Sequence, residues 1–207
     1  MDEKLIIAID GPAASGKGTV AKKIAKIFNL PHLDSGQLYR YIAHLAIKNT
    51  INPNNKPALI ELTSRIEFDI TEIEDLRSDE ISTVASIISQ YREIREQLIE
   101  YQRDFASNGA VVDGRDIGTI IFPNADYKFY ITASLDQRTE RRYLQLKKDN
   151  AEIDRNNIKN DINNRDLRDI NRKIAPLKKA EDAIEIDTTE MKIDDVIDFI
   201  VKYIHKG

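Results

Sequence analysis

Residues 5–19 read Leu5-Ile6-Ile7-Ala8-Ile9-Asp10-Gly11-Pro12-Ala13-Ala14-Ser15-Gly16-Lys17-Gly18-Thr19. The opening run is apolar, rich in β-branched residues and closed by turn residues, which predicts a buried parallel strand. Val20, Ile24 and Ile27 then recur at helical spacing, with Asn29 as a helix end and Pro31 as a stop. Strand, glycine loop and helix in this order form a phosphate-binding loop. The glycines let successive N–H groups turn inward, the helix beginning near Gly16 adds its positive end, and Lys17 supplies a full charge. Gly11, Pro12, Ala13, Ala14, Ser15, Gly16, Lys17, Gly18 and Thr19 are therefore the candidate triphosphate cradle. The plainer alternative is a glycine-rich strand–helix turn with no ligand, which spacing and context disfavour. Gly18 stands where such loops usually carry Ser or Thr, and Thr19 follows one place on. Mg²⁺ is therefore expected to be held by nucleotide phosphates and water, with Thr19 assisting, and no protein metal site is expected.

Working outward, three further stretches place charge where open α/β sheets bind ligands, beyond the carboxyl ends of strands. The short apolar piece His32-Leu33 leads into Asp34-Ser35-Gly36-Gln37-Leu38-Tyr39-Arg40 and a helix with Leu38, Tyr41, Ile42, Leu45 and Ala46 on one face. Ser35 is the expected helix cap, and Arg40 lies a turn further on. Either Arg40 points back to an anion or this is an ordinary cap with a solvated Arg. Asp113-Gly114-Arg115-Asp116-Ile117-Gly118 follows the strand Ala110–Val112. Its charges suit a ligand, or form an internal ion pair in a polar turn. Arg165-Asp166-Leu167-Arg168-Asp169-Ile170-Asn171-Arg172 puts Arg165, Asp169 and Arg172 on one helix face. Alone it reads as a solvated helix; beside a phosphate cradle it reads as an Arg-bearing lid. Arg138, Arg141 and Arg142 are further lid candidates.

Elsewhere, polar residues 49–57 predict a loop, Leu59-Ile60 and Leu62 a short helix, and the alternation of Arg65–Ile70 a small strand. Ser82–Ile88 and Ile94–Phe105 read as helices, with Asn108-Gly109 ending the second. Tyr127–Ile131 and Ala183–Ile186 read as strands; Leu135–Leu146, Arg155–Lys173 and a stretch holding Val196, Ile197, Ile200, Val201 and Ile204 read as helices. Strands alternating with helices imply a mainly parallel sheet covered on both faces. The pattern divides the chain into a core (1–48, 90–136 and 174–207), an insert (49–89) and a polar lid (137–173). Composition narrows the function. There is no Cys, which excludes disulfides and thiolate metal sites; charged residues make up 32% of the 207, and no apolar run is long enough to span a membrane. A net charge of -4 disfavours general nucleic-acid binding, so an anionic ligand must be met by local clusters of Lys and Arg. The start Met1-Asp2-Glu3-Lys4 lacks a basic signal-peptide region, and a cytoplasmic protein is expected.

Together, Asp10–Thr19, Leu33-Asp34-Ser35-Gly36, Asp113–Gly118 and Arg165–Arg172 before Ala175-Pro176-Leu177 resemble the bacterial cytidylate kinases over almost the whole chain. The variant Gly16-Lys17-Gly18-Thr19 is typical of nucleoside monophosphate kinases. The resemblance implies an adenylate-kinase-like α/β fold: a P-loop core with a five-stranded parallel sheet, a CMP-binding insert and a helical lid. It implies transfer of phosphate from ATP to CMP or dCMP in pyrimidine metabolism, with Mg²⁺, by a monomer that engages neither nucleic acid nor membrane. It carries over Lys17, Arg115, Arg165 and Arg172 as catalytic cations. Asp34, Ser35, Arg40 and Arg115 fall at the CMP phosphate and its surroundings. Asp116, Arg95, Ser86 and Arg172 fall at cytosine, and Arg165 and Asp169 at phosphate or the ribose hydroxyls. The residue chemistry agrees independently: a carboxylate accepts from the exocyclic amine of cytosine, and Arg and Ser donate to its ring nitrogen and carbonyl. Between Arg65 and Ile81 the insert is shorter than in longer family members. Two other readings compete. A different small P-loop kinase would accept another nucleotide. A guanine-nucleotide switch is disfavoured, because Asn55-Lys56-Pro57 is followed by Ala58 and not Asp.

Overall fold

The computed structural model describes residues 4–68, 76, 78–147 and 153–206. Strands β1 (Ile6–Asp10), β2 (His32–Asp34), β3 (Ala110–Gly114), β4 (Tyr127–Thr132) and β5 (Ile184–Asp187) form one parallel sheet in the order β2-β3-β1-β4-β5. The chain leaves β1 toward β2 and β3 on one side and returns to β4 and β5 on the other. The order therefore reverses at β1, which opens a crevice beyond its carboxyl end.

Helices α1 (Lys17–Ile27) and α8 (Ile193–Ile204) cover one face of the sheet. Val20, Ile24, Val196 and Ile200 there pack on Ile7, Ile9, Val111 and Phe129. Strand alternation sends Ala8, Ala110 and Val112 to the other face, where they meet Ile117, Ile121 and residues of α5 (Arg92–Phe105). A short π-helical turn, Ile117–Ile121, follows β3 and has no counterpart among the elements expected from the sequence. Helices α2 (Ser35–Lys48), α3 (Lys56–Ser64) and α4 (Asp79–Ile88) build a further apolar cluster with α5, centred on Leu38, Ile42, Leu59, Ile88 and Leu98. Helices α6 (Leu135–Leu146) and α7 (Arg155–Asn171) share a small cluster in which Ile158 and Ile162 pack on Ala13 of the loop after β1. Among the described residues, no helix is long and apolar enough to cross a membrane.

The five strands and their parallel pairing match expectation; several local details differ. On α2 the buried face holds Tyr39 and Ala43 together with Leu38, Ile42 and Ala46, while Tyr41 and Leu45 are partly exposed. Lys56 already belongs to α3, because Asn55 caps that helix by accepting from Ala58 N–H at 3.3 Å. The expected strand at 65–70 is absent from its described part. Arg65 caps α3, and residues 66–68 have no regular structure; Asp69 and Ile70 lie outside the described residues. The alternation there reflects packing: the Phe68 ring lies 6.0 Å from that of Tyr41 and 5.1 Å from that of Tyr101.

Candidate active site

The cradle is shaped by its backbone. At Gly11 a β-carbon would lie 2.0 Å from the Ile131 carbonyl oxygen, so the loop leaves β1 through a gap that only glycine fits. Ala14 (φ 57) and Gly16 (φ 91) take left-handed conformations that turn the loop back onto α1. Gly16 precedes α1 and makes no side-chain cap, and the first turn of α1 holds no acidic residue. The helix start is thus left to an anion. Lys17 is buried, and its Nζ donates to the Pro12 carbonyl at 2.9 Å. Burial, and then the charges of Arg115 and Arg165, push its ammonium down to about 7. Asp10 plays a structural part, since its carboxylate accepts from Ile117 N–H (2.9 Å) and Gly118 N–H (2.8 Å) and so ties β1 to the π-helical turn. Burial raises its pKa to about 6.

Around the cavity that the cradle lines, cations gather from three places in the fold: Arg40 on α2, Arg115 after β3 and Arg165 on α7. Asp34, not Ser35, occupies the cap position of α2; Ser35 is the first helical residue and is buried. The helix starts one residue earlier than expected because β2 runs directly into it. Arg40 donates to Asp34 Oδ2 at 2.8 Å, while its buried Nε has no partner. Arg115 Nε donates to Asp169 Oδ2 at 2.9 Å. Arg165 Nε is also buried without a partner; burial, and then the charge of Arg115, lowers its pKa to about 10. Mutually repelling cations with orphaned N–H groups mark a place prepared for negative charge. Asp113 Oδ1 is hydrogen-bonded to His32 Nε2 at 2.7 Å.

Deeper in, Asp116 lies between two guanidiniums, paired with Arg95 and, at 3.3 Å, with Arg172. Arg95 stands over the Tyr39 ring, 5.5 Å from its centroid. Arg172 lies just past α7 in an extended conformation, so it reaches the site from the helix end and not from the helix face it was expected to share. Ser86 accepts from Arg168 Nε at 3.1 Å, and Ser89 Oγ lies 3.5 Å from Arg172 Nη1.

One cavity of about 530 Å³ is lined by Ala13–Thr19, Asp34, Ser35, Arg40, Ser86, Arg95, Arg115, Asp116, Arg165, Asp169 and Arg172. Gly11 and Pro12, expected in the cradle, do not line it; they shape the loop from behind. Of the further lid arginines, Arg142 lines the cavity, whereas Arg138 pairs with Asp166 and Arg141 binds the carbonyls of Ser15 and Thr188. Arg168, Ser89 and Tyr39 also line the cavity, though sequence reasoning does not single them out. Arg168 sits midway between Arg165 and Arg172 in the sequence, a signal that could have found it. A second cavity of about 470 Å³ adjoins the loop on its other side, bounded by Gln137, Arg141, Thr188, Met191 and Ile193; of these only Arg141 stood among the candidates, as a lid residue. Among the described residues, no cluster of three His, Cys, Asp or Glu side chains is arranged to hold a metal ion.

A family model described as cytidylate kinase matches residues 7–206. A cytidylate kinase from Clostridium tetani is 42% identical over 212 residues, covering 97% of this chain and 94% of that protein. Another from Bartonella tribocorum is 44% identical over 191 residues, covering 91% of this chain and 89% of that protein. The solved structure of an uncharacterized protein from Eubacterium ventriosum shares the fold, with a TM-score of 0.57 at 18% identity, covering 98% of this chain and 99% of that one. With matches that run from the first strand to the last helix, the chain belongs to the cytidylate kinase family.

Proposed function

We propose that this chain transfers the γ-phosphoryl group of ATP to the phosphate of CMP or dCMP, giving ADP and CDP or dCDP. The observation that carries this reading is one cavity lined together by the phosphate loop with Lys17, by Arg40, Arg115 and Arg165, and by Asp116. In it, Lys17, Arg115 and Arg165 act on the transferring phosphoryl group, while Arg172, 3.3 Å from Asp116, helps to hold the cytosine. Asp34, Ser35 and Arg40 hold the CMP phosphate, Asp169 the ribose, and Ser86, Arg95 and Asp116 the cytosine. The second cavity receives the nucleoside end of ATP, since it adjoins the loop on the side away from the acceptor cations. Residues 49–89 serve as the CMP-binding insert and 137–173 as the lid.

The acceptor needs no general base. A phosphate monoester has a second pKa of about 6, so it is mostly dianionic at neutrality. The barrier is the approach of two anions, which the loop amides, Lys17 and the arginines offset while stabilising charge spread over the transferring group. Closure of the lid over the cavity excludes water, the competing acceptor. Among the described residues the carboxylates are not grouped to hold a metal ion, so a divalent cation would take most of its oxygens from nucleotide phosphates and water; Asp34, Asp113 and Thr19 are protein oxygens of suitable kind in the cavity lining. When bound, Mg²⁺ would neutralise phosphate charge.

The test measures ADP formation from MgATP with CMP, dCMP, UMP and AMP as alternative acceptors. CMP and dCMP are expected to stimulate ADP release strongly and UMP much less. Release that is indifferent to acceptor, or that favours AMP, would overturn the assignment.

A further inference from the structure

Outside the set of residues that touch substrate in this scheme lies a further buried ion pair, between Arg138 of α6 and Asp166 of α7. It does not line the main cavity. Its position relative to the phosphate loop is unusual in one respect: it holds both polar groups of a single loop residue. Asp166 Oδ1 accepts from Ala13 N–H at 3.0 Å, and Arg138 Nη1 donates to the Ala13 carbonyl at 3.0 Å. Arg138 Nε is meanwhile fixed to the Ala133 carbonyl at 2.9 Å, just beyond β4. Ile158 and Ile162, from the first half of α7, press on the same alanine.

The consequence is mechanical. Ala13 is immediately followed by Ala14 in its left-handed conformation and by the loop residues Ser15–Thr19 that line the cavity. Fixing the Ala13 peptide groups sets the direction in which the loop enters that turn. Asp166 also neighbours Arg165 in sequence and lies one helical turn before Asp169, so the same carboxylate sets the rotation of α7 about its axis. Its partner Arg138 keeps the buried charge compensated; without that partner the carboxylate would be left an isolated ion.

We infer that Arg138 and Asp166 are positioning residues that clamp Ala13 and thereby lock the phosphate cradle to the helix bearing Arg165 and Asp169. This rests on the kinase reading above and adds to it two residues that touch neither nucleotide. A purely structural pair would affect melting temperature alone. A positioning pair acts on the ATP side and on turnover, and leaves CMP binding nearly intact.

The variants are Asp166→Asn and Arg138→Lys, assayed well below their own melting temperatures with MgATP and CMP varied separately. For Asp166→Asn, KM for MgATP is expected to rise, and kcat to fall, by about tenfold or more, the scale of one charge-assisted hydrogen bond. KM for CMP should stay within about threefold. Arg138→Lys, which keeps the charge but loses the fork, should fall between Asp166→Asn and the unaltered chain. Folded Asp166→Asn with kcat and KM for MgATP unchanged would overturn the clamp, whatever its melting temperature. Should both variants fail to fold, amide hydrogen exchange at Ala13 in the unaltered, unliganded chain decides. The clamp requires exchange about 100-fold or more slower than an open loop amide; free exchange there overturns it. Failure of the unaltered chain to turn over MgATP and CMP would instead overturn the kinase reading, so the two failures are distinct.

Discussion

Under the proposed function, base selectivity falls to single side chains, and Asp116 is the one whose chemistry would discriminate most sharply. It is buried, with a guanidinium on each side, and lines the cavity near Ser86 and Tyr39. A carboxylate accepts the amine of cytosine but faces oxygen against oxygen with uracil, and that repulsion supplies discrimination. Asp116→Asn keeps the shape and offers a donor as well as an acceptor. The expected outcome is a fall of about tenfold or more in the ratio of kcat/KM for CMP to that for UMP, chiefly through gain toward UMP. An unchanged ratio from steady-state kinetics on both acceptors would assign selectivity elsewhere. Asp116 is legible in the sequence because it follows a strand end in a polar turn between glycines. Its partner Arg95 is not legible from spacing: it comes from α5, and only the family resemblance points to it. Arg168 stays hidden for a related reason. On α7 alone it looks like one more solvated Arg, and the group that claims it, Ser86, lies 82 residues earlier in the chain.

Between elements, the joint from β1 into α1 carries the strictest steric demand. An alanine at Gly11 would drive its methyl to 2.0 Å from the Ile131 backbone oxygen, which cannot yield without dragging β4 away from β1. At Gly18 the nearest foreign atom to an added β-carbon is Asp113 Oδ2 at 3.7 Å, an ordinary contact. Gly11→Ala is therefore expected to cost about 1–3 kcal/mol or more of stability, as overpacking does. Gly18→Ala should leave the melting temperature unchanged or slightly raised, since alanine favours a helix. Thermal melts of the two variants side by side test this; equal melting temperatures would contradict the stated geometry. The strands are readable because each is a short apolar run between turn residues, and buried parallel strands carry that signature without needing their partners. The segment after α3 misleads because Ile66 and Phe68 are spaced as in a strand, yet the Phe68 ring packs against two tyrosine rings and, among the described residues, no strand lies alongside. The π-helical turn after β3 has no local signal; it is held by the Asp10 carboxylate at the end of the neighbouring strand β1, which accepts from two successive N–H groups of the turn.

At the scale of the whole molecule, a chain of net charge -4 concentrates Lys17, Arg40, Arg115, Arg165 and Arg172 around one cavity. Without an anion these cations repel one another, and burial adds to the penalty. Lys17 bears much of it, its ammonium standing near 7 against an ordinary 10.5. Between those two values the unfolded chain holds more protons at this site than the folded one. The Lys17 contribution to the stability of the unliganded protein therefore rises as pH is raised from about 7 toward 10.5. Arg165, near 10, stays charged through most of that window. A bound triphosphate reverses the balance, because its negative charge favours the protonated amine. Binding of MgATP at pH 8 should then take up close to one proton, whereas the phosphates themselves, with their last pKa about 6, have none left to release. Calorimetric titrations in buffers of differing ionisation enthalpy measure that uptake directly. Lys17→Met should abolish it and lower kcat by about a hundredfold or more while leaving the fold intact, the scale seen when one preorganised charge-stabilising donor is lost. Binding at pH 8 with no proton exchange in the unaltered chain would mean that the cavity does not hold Lys17 neutral, and the electrostatic preparation described for it would have to be assigned to the arginines alone.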